Sequence, residues 1–275
     1  MRAELHVLPG APQHIRSTSC RWRLLVSWLI LKARVKISIV IPAYNEEKLL
    51  PGTLESVFAA AHAFRTRSWE HEVIVCDNNS KDRTAEIARA RGAQVVFEPI
   101  NQIARARNRG ASIARGDWLM FVDADSHPSP ELFGDVAAAI ATGRCLAGGS
   151  TVRLDERHFA LAALTALWNV ISLVKKWAPG SFIFCETNAF REIGGFSDEL
   201  FASEELDLFQ RFHKLARQDK RRIVILHRHP LVTSARKAHL YSKKEHLRFM
   251  LRTALSWGRT LKSAEQCPTW YDGRR

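Results

Sequence analysis

Three aspartates, Asp77, Asp123 and Asp125, each close an apolar run: Val73–Cys76 before the first, Trp118–Val122 before the other two. A run of that length and β-branched character reads as a buried strand, so each carboxylate is carried to a strand's C-terminal end. Converging carboxylates repel one another unless a cation or a donor joins them. Asp123 and Asp125 are one residue apart, which lets both face one ion where a strand end turns. Mg²⁺ and Mn²⁺ prefer such hard oxygen ligands and bridge to substrate phosphates, so the pair suits a diphosphate. An Asx-turn with Pro128 nearby is the other reading of the same residues.

Other side chains carry two readings each. Ser203, Glu204, Glu205 and Asp207 open an apolar-periodic stretch, which reads as an N-capped helix with acids in its positive first turn. A carboxylate at such a rigid helix start can also serve as a general base. Arg105, Arg107 and Arg109 alternate, so a helix cannot point all three one way. Arg107, with Asn108, is the one that can face the strand ends while the others are solvated. His127, His227, His229 and His239 read as ordinary histidines or as metal ligands, and Phe182 and Phe184 as core or as a sugar platform.

The elements that must position these groups alternate. Strands are expected at 36–41, 72–77, 94–97 and 118–122, with helices between them beginning near Asn45–Glu47, Asp82 and Ile103. Beyond residue 140 a strand near 145–153, a helix near 158–177, a short strand at 181–185, a helix from 203 to 215 and short strands at 222–226 and 231–233 follow. Strands interleaved with helices at this spacing predict an α/β fold with a mostly parallel sheet covered on both faces. Ligands bind such sheets beyond the carboxyl ends of the strands, where the polar clusters lie.

The 275 residues carry 41 Lys+Arg against 28 Asp+Glu, a net charge of +13. That surplus is uneven: residues 211–275 hold 17 basic and 4 acidic side chains, residues 1–36 hold 7 and 1, and the centre is acidic. An acidic centre argues against a continuous nucleic-acid groove. The 46% hydrophobic composition permits one large core and excludes a disordered chain. No apolar run reaches membrane-spanning length; the nearest, Phe159 to Val174, is interrupted by Thr165, Asn169 and Ser172. Leu24–Leu31 has basic flanks but no small-residue cleavage site, so it reads as an interfacial or packing helix. Five widely spaced cysteines without a C-x-x-C suit a reducing cytosol.

Six segments occur in order: VIPAYNEE (40–47), CDNNSKDRT (76–84), ARNRG (106–110), GDWLMFVDAD (116–125), IGGFS (193–197) and SEELDL (203–208). Together they resemble the family 2 glycosyltransferases, over about residues 36–235. The resemblance implies the GT-A fold, a nucleoside-diphosphate sugar donor and direct displacement with inversion. On it, Pro42, Ala43 and Tyr44 lie near the nucleobase and Glu46 near the ribose. Asp77 accepts a hydrogen bond from the base, with Asn79 shaping that pocket, and Arg107 approaches the base or the diphosphate. Asp123 and Asp125 match the metal-binding D-x-D pair, for Mg²⁺ or Mn²⁺. Glu205 matches the usual catalytic base, with Glu204 beside it and Glu where Asp is commoner. Arg236 is the candidate for the diphosphate from the end of the domain.

The resemblance divides the chain into a basic N-terminal arm (1–35), the catalytic domain (36–235) and a basic amphipathic helix and tail (236–275). The helix, expected from Lys243 to Leu261, reads either as a solvated face or as a contact with an anionic membrane surface. A cytoplasmic protein follows, with peripheral contact at the inner membrane face on the second reading. The acceptor is not specified. A nucleotidyltransferase is the alternative enzyme, but the first turn lacks a glycine-rich phosphate loop. A nucleic-acid-binding protein is the third reading, and no nucleic-acid partner is expected.

Overall fold

A computed structural model describes residues 35–156 and 159–236. Four parallel strands come first: β1 (Lys36–Ala43), β2 (Glu70–Asp77), β3 (Gln94–Phe97) and β4 (Trp118–Val122). Between them run α1 (Leu50–Arg65), α2 (Thr84–Ala90) and α3 (Ile103–Ile113). There follow β5 (Ser126–His127), α4 (Pro130–Ala141), β6 (Cys145–Leu154), α5 (Phe159–Lys175), β7 (Phe182–Glu186), α6 (Thr187–Glu192), α7 (Glu204–Gln218) and β8 (Arg222–Thr233). The strand order is β3-β2-β1-β4-β7-β6-β8-β5. β7 runs antiparallel to β4 and β6, while β6 and β8 are parallel. The mostly parallel α/β sheet expected from the alternation is what forms.

Period-two burial along the strands builds a core on each face. Ile37, Ile39 and Ile41 of β1 and Met120 and Val122 of β4 pack with Leu54, Val57 and Phe64 of α1 and Phe133 and Val136 of α4. The opposite face, with Val40, Leu119 and Phe121, is covered by Ala104 and Ala111 of α3 and by Leu208, Phe209 and Phe212 of α7. Phe182 and Phe184 are fully buried core residues.

Three expectations are corrected. The two short strands expected at 222–226 and 231–233 are one strand, whose ladder with β6 skips residues 227–230 between the pairs Ser150–Leu226 and Val152–Leu231. Ser203 occupies the N-cap of α7 but makes no side-chain cap bond, because its backbone is left-handed at φ +60°. α4 was not anticipated, although the Ser129 side chain caps it at Leu132 N and Pro130 opens it. The basic arm, with the expected Leu24–Leu31 helix, and the expected 243–261 helix lie outside the described residues.

Candidate functional site

The turns after β1 and β2 are zipped to each other by side chains. Asn45 N donates to Ser80 Oγ (3.0 Å), Glu46 N to Thr84 Oγ1 (2.8 Å) and Glu47 N to Asp82 Oδ2 (3.0 Å). Lys81 N returns a bond to Asn45 Oδ1 (2.8 Å). These groups satisfy backbone donors ahead of α1 and α2 and fix the P-A-Y-N-E-E turn. Asp77 is buried at the end of β2 and accepts from Ser80 N. Pro42 and Ala43 are buried and Tyr44 half-buried beside it.

The Asp123–Asp125 turn is tied down on several sides. Asp123 N donates to Ser181 O, Thr53 Oγ1 to Ala124 O, and Ser234 N to Asp125 O. It therefore presents its two carboxylates to two different guanidinium groups. Asp125 Oδ2 stands 3.7 Å from Arg236 Nη2, and Arg236 also grips the buried Glu46 with both Nη atoms. Asp123 Oδ1 accepts from Arg107 Nη2 at 3.0 Å.

Arg107 organises the second group. Its side chain is 1% exposed, its Nη1 bonds Glu204 Oε1, and its Nη2 also bonds Gly180 O at 2.8 Å. Its guanidinium lies over the Phe196 ring, 5.1 Å from the centroid. Burial alone would lower its pKa, but Asp123, Glu204 and Glu205 outweigh that and raise it. Glu205 sits beside this group, its carboxyl carbon 3.7 Å from where a Cβ on Gly180 would stand. Burial first, and then the Glu204 charge, push the Glu205 carboxyl up to about 8.

The remaining candidate residues occupy distinct environments. Arg107, expected near the base or the diphosphate, is buried with its Nη atoms bonded to Asp123, Glu204 and Gly180. Asn79 is exposed at φ +66°, and its neighbour Asn78 is the buried amide, bonded to Ile100 O (2.6 Å) and Gln102 N (3.0 Å). His127 Nδ1 meets Ser56 Oγ of α1 (3.1 Å) and His229 Nδ1 meets Asp135 Oδ2 (2.9 Å). Arg105 and Arg109 lie in part-exposed contacts, as expected.

Gln102, which the sequence reading does not single out, and Asn108 strap the loop before α7 from the N-cap and the body of the helix that carries Arg107: Gln102 Nε2 donates to Asp198 O and Leu200 O, and Asn108 Nδ2 to Phe196 O. Gly195, at φ +72°, passes so close that a Cβ would stand 2.8 Å from Asn108 Oδ1. The I-G-G-F-S segment marks this loop in the sequence, but Gly180 carries no such signal.

The profile described as glycosyl transferase family 2 matches residues 38–193, more than half of the chain. The chain belongs to glycosyl transferase family 2. One curated relative is a 4,4'-diaponeurosporenoate glycosyltransferase of Staphylococcus haemolyticus, 42% identical over 96 residues, covering 32% of this chain and 24% of the relative. Another is an undecaprenyl-phosphate 4-deoxy-4-formamido-L-arabinose transferase of Pseudomonas fluorescens, 34% identical over 132 residues, covering 45% and 37%. The chain thus spans between a quarter and a half of the curated relatives it matches.

Among solved structures, S. aureus TarS 1-349 gives a TM-score of 0.56 at 21% identity, covering 78% of this chain and 64% of that one. Glucosyl-3-phosphoglycerate synthase from Mycobacterium tuberculosis, in complex with Mn²⁺, UDP-glucose and phosphoglyceric acid, gives 0.53 at 20%, covering 82% and 78%. These neighbours share the GT-A fold. The candidate site joins the turns after β1, β2 and β4 with Arg107 of α3, Gly180, the start of α7 and Arg236. Among the described residues no three His, Cys, Asp or Glu side chains form a ready metal cage, so the D-x-D pair offers only part of a coordination shell.

Proposed function

We propose that this family 2 enzyme moves a sugar from a nucleoside-diphosphate sugar to an acceptor hydroxyl with inversion, using Glu205 as general base. The observation that carries this reading is a carboxyl at the start of α7, pushed up to about 8, next to the D-x-D turn. A base with a pKa near the working pH accepts a proton most effectively in the transition state. Glu204 is committed to Arg107, which favours Glu205 for proton transfer. Single displacement needs no nucleophilic side chain. The thiols of Cys76 and Cys145, which burial pushes up to about 12, have no role in it, and such reduced, buried cysteines support a cytoplasmic setting.

On this reading Pro42, Ala43 and Tyr44 border the base, Asp77 accepts its ring N–H, and Asn79 borders the pocket from the exposed turn. Glu46 holds Arg236, whose cation faces the diphosphate. A hard divalent ion fits the donor set, because Asp123 and Asp125 supply fixed carboxylate oxygens and leave further positions to water and phosphate. Mg²⁺ or Mn²⁺ would be held by Asp125 with Asp123, and when bound would neutralise charge on the leaving diphosphate. The named lipid and polyprenyl-phosphate substrates of relatives support an acceptor carried on a lipid over a free glycan.

The test is a thermal-shift screen of UDP-sugars with Mn²⁺, followed by product analysis by NMR. An α-linked donor is expected to give a β-linked product that Glu205→Gln no longer forms. Retention of configuration, or undiminished turnover in the variant, overturns the proposal.

A further inference from the structure

α5 is uncharged up to its last residue, Lys175. No charged residue occurs from Phe159 to Val174, yet Leu164, Leu167, Val170 and Val174 are 57–73% exposed and Ile171 is 36% exposed. These are five of the seven large apolar side chains that stand out from the surface among the described residues. The polar residues that interrupt the segment all serve the helix or the domain beneath it. Thr165 Oγ1 bonds Leu161 O, and Ser172 Oγ bonds Trp177 O. Asn169 Oδ1 accepts from Val152 N (3.0 Å) while its Nδ2 donates to Val152 O (2.9 Å). The outer face is therefore apolar without interruption and rigidly held on β6.

We infer that α5 docks this enzyme on an anionic lipid bilayer, lying in the surface with its uncharged face among the acyl chains and headgroups. Three observations select a bilayer. First, with about 100° per residue, the exposed positions from Ala162 to Val174 span about half the helix circumference. A partner helix would need only a narrow seam, whereas a fluid apolar medium covers a wide arc. Second, the face is bordered by cations. Lys175 ends the helix and Lys176 follows it, and Arg153 and Arg228 stand exposed at the edge of β6 and β8. Arg153 shares a groove of about 1080 Å³ with α5, in which Asp155 and Glu156 also stand, so the four cations outnumber the two acids along this border. A basic border complements acidic headgroups, each cation adding to binding. Third, no helix among the described residues is long and apolar enough to cross a membrane, so α5 lies on the bilayer and does not span it. The contact does not depend on which sugar the enzyme transfers.

The experiment is flotation of the full chain with phosphatidylcholine vesicles, with and without phosphatidylglycerol. Leu167→Asp/Val174→Asp changes only exposed positions, so the melting temperature is expected to stay within a few degrees. Its partitioning into the mixed vesicles is expected to fall by at least about tenfold. Lys175→Glu/Lys176→Glu is expected to weaken binding to the mixed vesicles alone, and binding of the native chain is expected to weaken in high salt without vanishing. Lys243→Glu/Lys244→Glu/Arg248→Glu separates out the basic C-terminal segment. If that variant loses all binding while the α5 variants bind like the native chain, α5 is not the docking element and the inference fails. It fails too if the native chain dimerises at micromolar concentration, does not float, and becomes monomeric on Leu167→Asp/Val174→Asp.

Discussion

Arg236 and Glu46 lie 190 residues apart in the chain and meet in a two-pronged ion pair, Nη1 on Oε2 at 3.0 Å and Nη2 on Oε1 at 2.7 Å. The last described residue is thereby held over the first turn of the fold, with Asp125 on its other side at 3.7 Å. The lone charge of a lysine cannot reproduce this fork. Arg236→Lys is expected to raise the KM for donor about tenfold with a smaller effect on kcat. Steady-state kinetics across donor concentrations checks the split.

The pH behaviour follows from Glu205. Its carboxyl, raised to about 8 by burial and by Glu204, compares with an ordinary value near 4. Between those values the folded protein holds a proton that the unfolded chain has released, so the group's cost to stability grows as pH rises through the window. Glu205→Gln is expected to raise the melting temperature, more at pH 8 than at pH 5, while abolishing transfer. Native transfer is expected to climb with pH and level off above about 8. Calorimetry and a pH–rate profile read the two halves separately.

Arg107 compensates three acids at once. Arg107→Met leaves Glu204 buried without its cation and Asp123 without its donor, which is expected to cost about 3–5 kcal/mol. Urea unfolding measures the loss, and Arg107→Lys is expected to recover only part of it.

At Gly180 a Cβ would stand 3.2 Å from Arg107 Nη2 and 3.7 Å from Glu205 Cδ. Gly180→Ala is therefore expected to displace the Arg107 guanidinium by a few tenths of an ångström, while Glu205 meets the new methyl in ordinary contact. Activity is expected to fall by about tenfold or more while the melting temperature changes by only a few degrees. Parallel kinetics and thermal unfolding separate the effects.

Asp125→Ala removes one of the two carboxylates of the D-x-D pair and is expected to eliminate the Mn²⁺ dependence of UDP binding. Calorimetry with and without Mn²⁺ checks this, and chelation of the native enzyme is expected to lower UDP affinity to the variant's level.

The strands were legible because each is an apolar run ending at a polar turn, and β3 and β4 have the expected bounds. Residues 227–230 split β8 in the sequence, with His227, Arg228 and His229 before Pro230, because the chain there bulges out of the ladder while remaining extended. α4 carries its own start signals, the Ser129 cap and Pro130, but the sequence reading goes from the Asp125 turn straight to the strand near 145. Residue types and order single out the D-x-D pair and Glu205 as candidates. The partnerships among these groups were not legible, because Arg107 reaches Glu204 across 97 residues and Arg236 reaches Glu46 across 190. Neither helical nor strand periodicity constrains pairings at that distance.

The amide of Asn169 has a second effect. β7 pairs with β6 only at Ala147–Gly149, so Val152 would otherwise offer an open donor and acceptor on that side. Asn169 fills both, as a neighbouring strand would. An unprotected edge at this point would invite strand addition from another chain. The helix that offers so much apolar surface outward thus also shields its own sheet from strand addition, and loss of one side-chain amide would open Val152 beside that apolar face.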